Sequence, residues 1–263
     1  MLGKLLKHDL KSIFKVLIIF YTLAVVFGIL TRIFLSFKNS LVVEVIGEIF
    51  QGAAISMMCS TLINNIMRVW VKFKSHFYGD ESYLTHTLPV EKRTHYLSAI
   101  LTAIITLFAS FALVFVVLLI TYYSKENLEF VKNLLLPMAE IYDSSILGIL
   151  GIFAFLLFFE FLNLLQCGLT GIILGHKRNN AKTGLSVLFG AIAFFVSQTV
   201  LVVIFFAIAV FNKDFMNLFV TNTMPDIQTI KTVSYLAIIG YAAISVAVGY
   251  VNIRLFKKGV NVD

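Results

Sequence analysis

Six apolar runs of membrane-spanning length decide what this chain can fold into. They cover about 16–37, 41–70, 96–122, 145–174, 185–211 and 233–255. A helix rises about 1.5 Å per residue, so about 20 mostly apolar residues cross a hydrocarbon core of about 30 Å. Inside lipid the backbone must satisfy its own hydrogen bonds, which predicts helices. A membrane barrel would show short segments of alternating polarity, and none appear. The composition agrees. Hydrophobic residues make up 59% and charged residues 13% of the chain, against about 45–50% and about 25% in soluble domains. The polar stretches are too short for a separate soluble domain. The prediction is an all-α integral membrane fold, one transmembrane domain over residues 1–263.

The basic residues set the orientation. The net charge is +7, and 15 of the 21 Lys and Arg fall on one side of the predicted spans. They are in the N-terminus, the connection after span two, the connection after span four and the C-terminus. Short loops rich in Lys and Arg stay in the cytoplasm. Both termini are therefore expected to be cytoplasmic, and the basic excess reads as a topological signal rather than as nucleic-acid binding.

Residues 1–15 form a distinct pattern. Leu2, Leu5, Leu6, Leu10, Ile13 and Phe14 recur at helical spacing, with Lys4, Lys7, His8 and Lys11 largely between them. This predicts an amphipathic interfacial helix at the inner membrane surface, after which the chain turns into the bilayer. The outer connections at about 124–144 and 212–232 are long and partly apolar, and short surface or re-entrant helices are expected there. Arg32, near the outer end of span one, is expected to snorkel to the outer surface or to pair with Glu48 across the short loop.

Catalytic motifs are absent. There is no G-x-x-x-x-G-K-[ST] phosphate loop, no H-E-x-x-H, no G-x-S-x-G and no CxxC. Cys59 and Cys167 lie inside apolar runs and read as small buried residues. The five histidines have no ligand-like spacing. No catalytic residue, no metal site and no cofactor bound by this chain are predicted.

The most informative local stretch is residues 71–95, after span two. Its core, Phe77 to Leu101, reads FYGDESYLTHTLPVEKRTHYLSAIL. Acidic, aromatic and aliphatic side chains alternate there, which suits docking of a soluble partner. Pro89 disfavours helix at Leu88, so a short helix should end there. The stretch resembles the loop of bacterial type-2 ABC exporter permeases, small six-helix subunits without their own ATPase domain. That family carries a phrase like "FY…DEGYL…TLPV" after its second span. Phe77, Tyr78, Asp80, Glu81, Tyr83, Leu84, Thr87, Leu88, Pro89 and Val90 match it; Ser82 and Glu91 depart from it. The opening MLGKLLKHDLKSIFK and the six-span layout resemble the family as well.

The resemblance implies a cytoplasmic coupling helix, with Phe77 through Pro89 docking on separate nucleotide-binding ATPase subunits. ATP and magnesium would sit on those partners. It implies a second permease, identical or related, and a bacterial cytoplasmic membrane. It also implies export of an amphipathic cargo: a peptide, bacteriocin, drug or lipid-like molecule.

Polar residues within the spans mark a candidate path. Glu160 lies midway along span four, with Asn163, Gln166, Cys167 and Thr170 following at steps of three and four. A carboxylate at that depth is costly, so it should face protein or water. Asn64 and Asn65 in span two, and Ser197, Gln198 and Thr199 in span five, are the other deep hydrogen bonders. The candidate path or gating residues are Glu160, Asn163, Gln166, Asn64, Ser197 and Gln198. Two other functions fit the same composition: a proton- or ion-coupled secondary transporter using Glu160, and a non-transporting immunity protein that sequesters a peptide.

Overall fold

A computed structural model describes residues 1–37, 41–87, 89–178, 180–212, 215–216, 220 and 227–258. Leu88 and most of the expected 212–232 outer helix lie outside these residues. The described residues are almost wholly helical and contain no strand. The helices are α1 (Leu2–Ser36), α2 (Leu41–Tyr78), α3 (Ser82–Thr87), α4 (Lys92–Tyr122), α5 (Lys125–Ile141), α6 (Ile146–Gly175), α7 (Lys182–Phe211) and α8 (Ile227–Lys257). Six of them, α1, α2, α4, α6, α7 and α8, are long and apolar enough to cross a membrane. The chain is a multi-pass membrane protein.

The chain divides into two compact units, Met1–Glu129 and Phe130–Asp263. In the first unit α1 packs on α2 and α4, α2 packs on α4, and α3 sits against α2. Ala24, Met58 and Val117 meet at its centre, with Val25, Met57, Leu113 and Val114 around them. Arg32 donates to the Ile120 carbonyl of α4 at 3.0 Å, rather than to Glu48.

Two helices are longer than a bilayer needs. The 35 residues of α1 extend about 52 Å and the 38 of α2 about 57 Å. Residues 1–15 are not a separate helix followed by a turn. No Pro or Gly interrupts the chain between Lys4 and Phe27, and those are the usual causes of a break. The amphipathic pattern instead serves packing: Leu5, Leu6, Leu10 and Ile13 are partly or fully buried, while Lys4, Lys7 and Lys11 stay exposed. The ends of α1, α2 and α4, together with α3, form a small helical headpiece beyond the apolar spans.

In the second unit α6 packs on both α7 and α8, and α7 touches α8. Ser145 caps α6, its hydroxyl accepting from the Gly148 amide at 3.1 Å. The α6–α7 contact is close, because Gly171 of α6 faces the backbone of Ser186 and Gly190 of α7, and Gly175 faces the Ser186 backbone and its small hydroxyl. Small residues at such spacing are how membrane helices approach closely. The expected outer helix at 124–144 is present as α5. From its later part Leu135 and Ala139 pack with Tyr142 and Ile149, while Phe130 and Leu134 are exposed. Ala181, just before α7, has φ 53°. A left-handed backbone costs a non-glycine residue about 1 kcal/mol or more. Ala181→Gly should therefore raise the thermal midpoint by a few degrees in a fluorescence melt, and a lowered midpoint would refute the strain.

Candidate functional site

Two groups of residues stand out, one in each unit. The first is the headpiece of unit 1. Gly79 ends α2, its amide donating to the Ser75 carbonyl at 3.3 Å, and the Ser82 amide donates back to the Gly79 carbonyl at 2.9 Å. This tight turn sends α3 off the end of α2. A hydrogen bond holds α3 down, with His76 Nε2 and Glu81 Oε2 2.9 Å apart; burial, and then the Lys72 charge, hold the imidazole below the ordinary histidine value, so the contact does not require a charged ring.

The matched docking phrase splits in two. Phe77 and Tyr78 are only 4% and 2% exposed. Phe77 packs at 4.8 Å from the Phe73 ring and edge-on at 5.5 Å from His95. These two anchor the headpiece from inside. Tyr83 and Leu84 are 70% and 74% exposed, and Asp80, Glu81, Thr87 and Pro89 are exposed as well. The surface that α3 offers is therefore Asp80, Glu81, Tyr83, Leu84, Thr87 and Pro89.

Beneath α3 a largely buried polar cross-link ties three helices together. Lys72 of α2 pairs with Asp9 of α1 at 2.9 Å, and both side chains are 13% exposed. The Lys72 ammonium also donates to the Asp9 carbonyl at 3.1 Å. Ser98 of α4 donates to the other Asp9 carboxylate oxygen at 2.6 Å. A cavity of about 660 Å³ opens beside this cluster, lined by His8, Asp9, Lys72, His76, Glu81 and Thr102 among others. Sequence reasoning missed Asp9 altogether. Its one signal was a lone acid on the basic N-terminal stretch, at the same step as the half-buried leucines.

Deeper in unit 1, Asn65 rather than Asn64 points inward. Asn65 donates to Ser110 at 2.8 Å and accepts from Thr106 at 3.1 Å; Tyr21 joins Ser110 at 2.8 Å. Asn64 is half-buried and donates to the Ser60 carbonyl of its own helix at 2.9 Å.

The second group is a polar seam of unit 2, where α6, α7 and α8 meet. Gln198 of α7 donates to Glu160 Oε1 at 2.8 Å, and the Tyr241 hydroxyl of α8 donates to Gln198 Oε1 at 3.1 Å. Asn163 donates to Ser197 at 2.9 Å, with the Cys167 thiol beside both. Thr170 donates to Asn252 Oδ1 at 2.7 Å, and Asn252 donates to the Gln166 carbonyl at 3.1 Å. Asn163, Gln166 and Ser197 are all buried. The structure thus brings together five of the six candidate path residues, Glu160, Asn163, Gln166, Ser197 and Gln198, and leaves Asn64 in the other unit. Tyr241 and Asn252 were missed. They lie on one face of α8 with Ser245, at steps of four and seven, and that spacing could have revealed them. Lys177, in the turn after α6, is held below the ordinary lysine value, first by burial and then by the Lys258 charge.

No three His, Cys, Asp or Glu among the described residues come together in a way that could hold a metal ion. No family model, curated protein or solved structure matches the chain.

Proposed function

We propose that this chain is the membrane permease subunit of an ABC exporter. It pairs with a second permease, identical or related, in a bacterial cytoplasmic membrane. Separate ATPase subunits, carrying ATP and magnesium, dock on α3 and drive export of an amphipathic cargo. The observation that supports the reading best is α3 itself. It is a short helix held at the end of a long span, with Asp80, Tyr83 and Leu84 exposed, in the stretch whose sequence resembles the coupling loop of that family. An exposed aromatic and an aliphatic side chain beside an acid suit a partner groove. The His76–Glu81 contact and the buried aromatics behind them would pass a push into α1, α2 and α4. In this reading the basic termini and the headpiece lie in the cytoplasm.

The test is co-purification from the native membrane. Tagged wild-type protein should retain a subunit with a phosphate-loop sequence and magnesium-dependent ATP hydrolysis. Asp80→Ala, Tyr83→Ala and Leu84→Ala combined should reduce both at least tenfold without changing the size-exclusion profile. Phe77 and Tyr78 are unsuitable for this test, because truncating them opens the interior. Full retention of the ATPase by the triple variant would remove α3 as the docking element, and absence of any ATPase from the wild-type preparation would remove the exporter reading. A carrier reading is kept alive by one observation, the carboxylate of Glu160 inside the spans of unit 2.

A further inference from the structure

Glu160 is in an unusual position. Between Ile146 and Gly175 it is the sole charged residue of α6, and α7 carries none between Thr183 and Phe211. On α8 the charged side chains, Lys231, Arg254 and Lys257, lie toward its ends. The titratable groups near the carboxyl from the packed elements are the Cys167 thiol on its own helix and the Tyr241 phenol on α8; the span of α7 offers only amide and hydroxyl groups. Among the described residues no cation lies within this seam to balance a carboxylate. A charge at membrane depth needs a partner or a proton.

The hydrogen bonds around it permit either state. With Glu160 ionised, the Gln198 amide nitrogen donates to Glu160 Oε1 and Tyr241 donates to the Gln198 amide oxygen, over 2.8 Å and 3.1 Å. A primary amide presents an acceptor and a donor of nearly the same shape, so a flip exchanges them in place. With Glu160 protonated on Oε1, that O–H donates to the flipped Gln198 oxygen. The Gln198 nitrogen then donates to the Tyr241 oxygen. The same two heavy-atom contacts serve both states, and in the second the Tyr241 proton turns from Gln198 toward the Glu160 carboxyl that its hydroxyl also faces. The other oxygen, Glu160 Oε2, is enclosed and accepts no well-aligned hydrogen bond among the described residues, with the Tyr241 hydroxyl close to the same carboxyl. A neutral carbonyl bears that enclosure far better than a carboxylate oxygen does.

We propose that Glu160, Gln198 and Tyr241 form a proton-binding site within the membrane, in which a flip of the Gln198 amide lets Glu160 be held in either protonation state. The proton comes from the aqueous medium, adds to the Glu160 carboxylate, and returns to the medium on release; no other bond changes. The charge of the unit 2 interior thereby changes by one, which gives the protein a pH-linked step whatever drives it. The site does not depend on the exporter reading, and the measurement below needs no ATPase.

Infrared difference spectroscopy of the full-length protein in liposomes, taken between acidic and alkaline medium, reads the site directly. Wild type should show a protonated-carboxyl C=O band at the high-frequency end expected for a dry, weakly bonded acid. Glu160→Gln should lose that band entirely. Gln198→Leu should keep it and move it higher still, because the carboxyl loses its acceptor. Glu160→Asp, which keeps a titrating acid should the Gln variant fold poorly, should retain a band at a changed position. A band that persists in Glu160→Gln overturns the proposal, as does wild type with no titrating band of this kind. A carboxyl that responds to sodium at fixed pH but not to protons overturns it too.

Discussion

Gly171→Leu should abolish folded protein, and Gly175→Leu should do nearly the same, while Gly190→Ala should be neutral or slightly stabilising. The three glycines lie at one crossing of α6 and α7 but meet different surroundings. A Cβ on Gly171 would collide with the Ser186 carbonyl oxygen and lie 2.5 Å from the Gly190 amide nitrogen. A Cβ on Gly175 would overlap the Ser186 hydroxyl and lie 2.5 Å from the Ser186 nitrogen. Most of these atoms are backbone, so no rotamer change relieves the overlap and the helices must separate. Overpacking where side chains can adjust costs about 1–3 kcal/mol, and a backbone clash should exceed that. Losing the close crossing also removes the packing that holds membrane helices together in the absence of a hydrophobic drive. A Cβ on Gly190 finds its nearest neighbour at 3.5 Å, an ordinary contact. There the helix gains the propensity difference of about 1 kcal/mol between Gly and Ala. Detergent-extracted yield and thermal midpoint, read by size-exclusion chromatography, separate the cases. If Gly171→Ala and Gly190→Ala melt together, the crossing is looser than described.

The spans were legible in the sequence because length and apolarity are one-dimensional properties. Each of the six expected spans falls within one long helix, to within a residue at its outer bound. The α6 stripe was legible for a similar reason: steps of three and four put Glu160, Asn163 and Cys167 on one face, and Ser197 and Gln198 lay at a comparable depth of α7. Helical phase was harder. Asn64 and Asn65 differ by about 100° of rotation, and an apolar helix gives few clues to which arc meets protein. The Asp9–Lys72–Ser98 cluster was invisible because its members lie 63 and 89 residues from Asp9 and no local pattern links them. Lys72 looked like one more basic loop residue. The docking phrase shows a different limit. Residues matched as a motif divided between interior and surface, with Phe77 and Tyr78 inside and Tyr83 and Leu84 outside, which the string of letters does not encode. The continuity of α1 was missed because an amphipathic end was assumed to lie on lipid, whereas it lies on α2 and α4.

Lys72→Met should destabilise the headpiece by up to about 3 kcal/mol, below the result of removing one partner of a fully buried ion pair because this pair keeps some contact with solvent. It leaves the Asp9 carboxylate, 13% exposed, with the Ser98 hydroxyl at 2.6 Å and the more distant His8 imidazole at 3.9 Å. Asp9→Leu should cost a similar amount, since it strands the Lys72 ammonium and frees Ser98. The double variant Asp9→Leu with Lys72→Met should recover much of the loss, because replacing a buried pair with apolar side chains is often close to neutral. A double-mutant cycle on unfolding midpoints would therefore show a coupling of 1 kcal/mol or more, about the upper range of exposed pairs. The location gives the result wider meaning. Lys72 lies one turn before His76, whose contact with Glu81 anchors α3, so loosening Lys72 frees the base of α3. The single variants should then lose ATPase capture while the double variant regains it, if α3 is the docking element. Midpoints that add independently, with no coupling, would mean that the pair is solvent-screened and that the headpiece is held instead by Phe73, Phe77 and the buried Tyr96 of α4, whose ring stands edge-on to Phe73 at 6.4 Å.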